Sequence, residues 1–360
     1  MKKIVFSIFL TGICISMFAQ DLALVRLGKD WGYIDKKGTY IINPQFANAK
    51  AFSNGNACTR SGGDWGYINP KGTYIINPQF EYVENFSEEL AAVRKFRQWG
   101  YVDKKGAFII NPQFDEALGF SDGVARVRKG EQWGLIDKKG LFVVNPQFDE
   151  LGEFCDGLAK ACKARKWGYV NKSGTWVINP QFDEAENFDN GLARIKKAFS
   201  WGYVDKTGTY IINPQFELVG NFVNGLARAR KQKEWGYIDK KGSWVINPQF
   251  NDAYDFTEGL ARVRKGTQWG FIDVSGTYTI NPQFDKAEDF SNGLALVRKG
   301  MLWGYIDNKG TYLVNPQYED AKSFKDGMAL VYKERKWGYI DKKGSVIINF
   351  QFSEAENFSK

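Results

Sequence analysis

The residues of this chain best suited to seize another molecule are arginines in pairs two apart. They are Arg126 and Arg128, Arg228 and Arg230, Arg262 and Arg264, with Arg194 in the same frame. Guanidinium groups hold carboxylates and phosphates through paired N–H donors. In Leu226-Ala227-Arg228-Ala229-Arg230 they alternate with small apolar residues, the period of a strand with one dry and one wet face. The pattern predicts an exposed edge strand with a basic stripe, whose charges also discourage edge-to-edge aggregation. A second chemistry is stacking, with Trp176, Trp244 and Tyr254 as candidate platforms for sugar rings. Catalysis has a weaker footing. The chain has no histidine, the commonest general base and zinc ligand near neutral pH. Carboxylates are plentiful, but no inserted loop singles out a pair of them, so the chain is read as non-catalytic. No D-x-[DN]-x-[DN]-G calcium loop and no cysteine pair with metal spacing occurs, so neither a metal nor a cofactor is expected.

These residues are positioned by repetition. Trp-Gly pairs begin at Trp31, Trp65, Trp99, Trp133, Trp167, Trp201, Trp235, Trp269, Trp303 and Trp337, always 34 residues apart. Residues 21–360 therefore divide into ten equal units, read as a single repeat domain. Each unit shows three short strand signals, for example 192–196, 201–205 and 209–216, and 217–221 could add one helical turn. The second and third strands are joined by Asp-Lys-x-Gly, as in Asp205-Lys206-Thr207-Gly208. That spacing suits a type I turn with a G1 bulge. The turn before each Trp-Gly pair varies most, which marks a surface able to carry specificity.

Pairing across the Asp35–Gly38 turn predicts Ile34 opposite Tyr40 and Tyr33 opposite Ile41. One face then carries Trp31, Tyr33 and Ile41, and the other Gly32, Ile34, Tyr40 and Ile42. Both faces are apolar, so a lone unit cannot stand in water. Each must be covered by its neighbours, which makes the tryptophans core residues. The fold expected is all-β, with ten tandem three-stranded antiparallel units. A propeller-like closed ring is favoured because the end units look like the interior ones. An open curved superhelix is the alternative, although open arrays usually carry polar caps.

The motif Trp-Gly-aromatic-Ile-Asp-Lys-x-Gly followed by Asn-Pro-Gln-Phe resembles the WG (or KWG) repeat family of bacterial proteins. The resemblance runs through all ten units. It implies tandem β-rich repeats, often behind an export signal, and supplies no catalytic positions. Leu135 and Phe271 depart from it at the tyrosine column, Glu89 at a glycine and Phe350 at the proline.

Residues 1–20 read as a signal peptide: Lys2 and Lys3, an apolar run from Ile4 to Phe18, then Ala19. Export to the periplasm, cell surface or medium is expected, with no transmembrane segment. Without Lys2 and Lys3 the chain keeps 47 basic against 41 acidic residues. That excess is too thin to argue for nucleic acid and leans only slightly towards acidic partners. Cys58, Cys155 and Cys162 sit in three different columns of the repeat, so no disulfide framework is implied. The reading is a secreted or surface scaffold for protein–protein interaction, with a glycan-binding module as the alternative.

Overall fold

The structure, a computed structural model, describes residues 21–359. The expected export signal lies outside the described residues. All regular structure among them is β, in ten antiparallel sheets of four strands. One sheet contains Asn48–Ala49, Ala57–Ser61, Asp64–Ile68 and Tyr74–Phe80, in that order.

The fourth strand corrects the expectation of three. Two residues after the Asn-Pro-Gln-Phe segment stay extended and pair with the strand that follows. Leu218 lies opposite Arg230 and Val219 opposite Ala229, where a helical turn was expected. The arginine-bearing strand is therefore interior to its sheet, not an exposed edge.

The ring closes through its last residues. Glu354–Ala355, from the tenth unit, completes the first sheet beside Ala23–Leu27. The Ser353 and Glu356 amides donate to the Arg26 and Leu24 carbonyls, and Leu22 and Ser359 exchange two further bonds of 3.0 Å. Closure makes the molecule a ten-bladed β-propeller and removes the open superhelix.

Packing between blades follows a gradient of side-chain size. Between the first two sheets, Leu24, Tyr33 and Ile42 of one face Ala57, Ile68 and Tyr74 of the next. The series alanine, isoleucine, tyrosine fills a gap that widens from the second strand of the sheet to the fourth, as sheets set around an axis require. Tyr74 meets Phe46 edge-on at 6.3 Å, and Tyr40 meets Phe352 at 6.4 Å across the closing seam. Trp65, Trp201 and Trp235 are buried; the other seven Trp-Gly tryptophans are half-buried.

The register differs from a simple hairpin. Ile34 pairs with Tyr40 as expected, but Tyr33 pairs with Ile42 and Trp31 with Phe46. Extra residues at Ile41 and at Asn43-Pro44-Gln45 bulge out of the ladder. Ile42 consequently joins Tyr33 in the core, and Ile41 is exposed. Gly32 explains why the bulge fits. A β-carbon there would stand 2.6 Å from the Pro44 nitrogen and 2.7 Å from the Ile42 oxygen. Backbone occupies that space in nine blades, so the glycine of each of those Trp-Gly pairs is a requirement of the adjoining Asn-Pro segment.

The Asp-Lys-x-Gly turn forms as read. The Asp35 carboxylate accepts from the Lys37 and Thr39 amides at 2.9 Å each, and Gly38 adopts φ +82°. Gly38 also lies against Ile348 of the tenth blade, a second contact across the seam.

Candidate functional site

The expected basic stripe divides into two columns. Arg126, Arg194, Arg228 and Arg262 reach across to the neighbouring blade. Each donates to a main-chain carbonyl 25 residues ahead: Leu151, Val219 and Ala253 at 3.0, 3.0 and 2.8 Å, and Ala287. Lys160 does the same to Ala185 at 3.0 Å. Carboxylates of the next blade complete four of these staples: Glu153 with Arg126 at 3.2 Å, Glu186 with Lys160 at 3.3 Å, Asp255 with Arg228 at 3.1 Å and Asp289 with Arg262 at 2.7 Å. Burial holds the Asp255 and Asp289 carboxyls above their usual range despite the guanidinium beside each. This column is thus bound up between blades, which corrects its reading as a wet ligand-binding face. The second column, Arg128, Arg230 and Arg264, lies nearer solvent beside Glu116, Glu217 and Asp252. Arg230 and Arg264 also cover the Trp235 and Trp269 rings at 6.0 and 5.8 Å.

The cations of the first column occupy five consecutive blades. Leu296, Leu330, Leu24, Cys58 and Ala92 hold the same position in the other five, all buried. Burial pushes the Cys58 thiol up to about 12, and all three described cysteines are free.

The proposed stacking platforms are already engaged. Trp176 and Trp244 meet Phe148 and Phe216 edge-on at 5.5 Å, as wedges between blades. The face of Tyr254 is covered by the Arg262 guanidinium at 3.6 Å.

A cavity of about 450 Å³ opens where the repeat is irregular. Glu84, Gly119, Ser121, Arg126, Glu153 and Phe154 line it, from three successive blades. In eight blades the Trp-Gly-Tyr hydroxyl donates to a carbonyl 17 residues on, as Tyr203 does to Gly220 at 2.6 Å. Leu135 has no hydroxyl to do this. The strand it would tether lengthens to Glu150–Cys155, with a register shift between Leu151 and Phe154. Phe154 is half-buried, whereas its counterparts Phe120 and Phe188 are buried. Gly119 brings no side chain where three other blades carry Glu153, Asp255 or Asp289. The arrangement offers an aromatic face, two carboxylates and a hydroxyl in one concavity. Sequence reading noted Leu135 but not its company. The available signal was that Gly119, Leu135, Gly152 and Glu153 fall within about one repeat length. Among the described residues, no cluster of three or more Cys, Asp or Glu side chains is placed to hold a metal ion.

Comparison with known proteins gives one sequence match. The family model described as WG containing repeat matches residues 31–63, 65–95, 99–133, 133–167, 167–198, 201–234, 235–266, 269–300, 303–337 and 337–360. No curated protein matches the sequence. Among solved structures, one titled as the crystal structure of the eukaryotic initiation factor overlays with a TM-score of 0.55 at 12% identity, covering 94% of this chain and 98% of that one. Dihydro-heme d1 dehydrogenase NirN, in complex with DHE, is a looser match: TM-score 0.39, 9% identity, 94% and 74% covered. At 12% identity the likeness to the first of these is one of fold alone.

Proposed function

Because this chain belongs to the WG-containing-repeat family and closes ten repeats into a propeller, we propose that it is an exported, non-catalytic scaffold for protein–protein interaction. The observation that carries this reading is the division of labour within the repeat. The Trp-Gly, Ile and Phe columns recur from blade to blade, whereas the turns before the Trp-Gly pairs vary most and one concavity breaks the regularity. A constant frame with variable tips suits recognition. The cavity between Gly119 and Phe154 is the proposed partner seat, with Phe154 as its apolar anchor and the ion-paired Arg126 and Glu153 as polar groups at its wall. The glycan alternative has less support, since Trp176 and Trp244 pack edge-on against Phe148 and Phe216 and the Arg262 guanidinium lies over Tyr254.

A photo-crosslinking amino acid at position 154, in the organism that encodes the chain, is expected to give one defined protein adduct. Glu153→Lys is expected to weaken it, and the same probe at exposed Ile211 should give none. Absence of an adduct, together with saturable glycan binding abolished by Phe154→Ala, would overturn the scaffold reading in favour of the glycan one. Export is tested separately by intact mass of secreted protein, expected to begin near Gln20 or Asp21. Retention of residues 1–19 would refute it.

A further inference from the structure

The two ends of the sheets differ in how their charges are spent. At one end lie the Asp-Lys-x-Gly turns between the third and fourth strands and the turns between the first and second strands. Several of their lysines are in ion pairs: Lys138 with Glu88 at 3.1 Å and Lys172 with Asp122 at 3.2 Å reach the neighbouring blade, and Lys104 pairs with Glu89 of its own blade at 2.9 Å. At the other end lie the ten tips before the Trp-Gly pairs, residues 27–30 and their equivalents every 34 residues. These tips hold fifteen lysines and arginines against five carboxylates. Among the described residues only one of the fifteen, Lys166, is in an ion pair, with Asp183 at 2.6 Å. Carboxylates of the next layer, such as Asp115 and Asp149, are drawn back to accept from tip amides at 2.7 and 2.8 Å.

Three tips also carry apolar prongs. Phe96, Phe199 and Met301 are 79%, 90% and 82% exposed. They belong to the third, sixth and ninth blades, and so are spread around the ring. Phe96 and Phe199 stand at φ +53° and +71°, a left-handed conformation that a bulky side chain disfavours. That geometry belongs to the turn itself, since Arg97, Ala164, Arg165, Gln232 and Lys233 share it; what packing leaves unexplained is a large apolar side chain standing exposed there.

We propose that this rim docks on an anionic lipid surface. The lysines and arginines lie among the headgroup phosphates, and the three prongs enter the acyl boundary. Planarity decides between partners. Tips of equal length on a closed ring share one rim, and a flat surface meets prongs three blades apart at once. A globular partner reaches one sector only, and a nucleic acid uses the cations but has no place for the prongs. The cavity at Ser121 and Phe154 belongs to the opposite end of the sheets, so a docked ring presents it outward. The proposal stands apart from the scaffold reading.

The test is co-sedimentation of the mature chain with phosphatidylcholine vesicles containing about one-third phosphatidylglycerol. Binding is expected to be at least about tenfold tighter than to pure phosphatidylcholine and to fall as salt rises from about 0.1 to 0.5 M. The triple variant Phe96→Gly, Phe199→Gly, Met301→Gly is expected to bind at least about tenfold more weakly. Its melting midpoint should be unchanged or higher, because glycine relaxes the left-handed positions. No binding to the anionic vesicles overturns the proposal. So does equal binding by the triple variant, which would leave attraction by charge without insertion.

Discussion

Deletion of residues 353–360 is expected to cost about 5 kcal/mol or more and to end the all-or-none melting of the ring. Four backbone hydrogen bonds close the first sheet through this segment, each worth about 1 kcal/mol net. Phe358, buried and 5.3 Å from Tyr339, leaves with it, at about 2–3 kcal/mol for an aromatic of that burial. The Tyr339 hydroxyl loses its acceptor, the Glu356 carbonyl at 2.7 Å. Leu22 and Leu24, each 1% exposed in the ring, become an uncovered flank. Thermal melts and small-angle scattering check the outcome. A circular permutant that joins 360 to 21 and opens between two interior blades should melt like the parent. A midpoint within about 2 °C of the parent for the truncated chain would mean that closure contributes little, and that neighbouring blades stand as independent pairs.

Trp201→Ala is expected to lower stability by about 3–5 kcal/mol. Trp201 is buried among Tyr203, Phe216 and Ala229, and the blades on either side cannot close over the vacancy without shifting the whole ring. Lys206→Ala, five residues away in an exposed turn, should stay within about 0.5 kcal/mol. Its one ion pair, with Asp156, spans 4.0 Å in solvent and contributes little. Urea melts of both variants decide the matter. Equal, small losses would sink the assignment of the tryptophan to the core.

Much of this architecture was legible because a repeat states the same constraint ten times. The Trp-Gly interval set the unit, the Asp and Gly of the turn set the hairpin, and two apolar faces required neighbours on both sides. Three features were not legible, each for a physical reason. The added strand is two residues long in nine of the ten blades, too short for alternation to show. The register slips at Asn43-Pro44-Gln45, because the reason for the slip is the missing side chain of Gly32 on the partner strand. A glycine reports that space is needed without saying whose atoms take it. The arginine column was misplaced because alternation marks a face as polar, not as wet. Carbonyls and carboxylates of the next blade satisfy Arg228 as water would, and the sequence reads alike in both cases. The cavity was invisible for a related cause: the missing hydroxyl at Leu135 is not enough to signal it, since Phe271 lacks one too and the strand that follows its blade, Lys286–Ala287, keeps two residues.

The segment that closes the ring is of the same kind as the nine short strands that merely link one blade to the next. Glu354–Ala355 pairs with Arg26 and Val25 as Asp252–Ala253 pairs with Arg264 and Val263. Nothing in the lock counts to ten. The number of blades is held instead by the taper of the side chains between them, each interface turning the chain through one-tenth of a circle. Recombination between neighbouring repeats in the gene would gain or lose whole blades in frame, and the new ends would still fit one another. What would resist is the taper alone, a graded strain shared over every interface. Rings of nearby sizes are therefore within evolutionary reach of this sequence by single events.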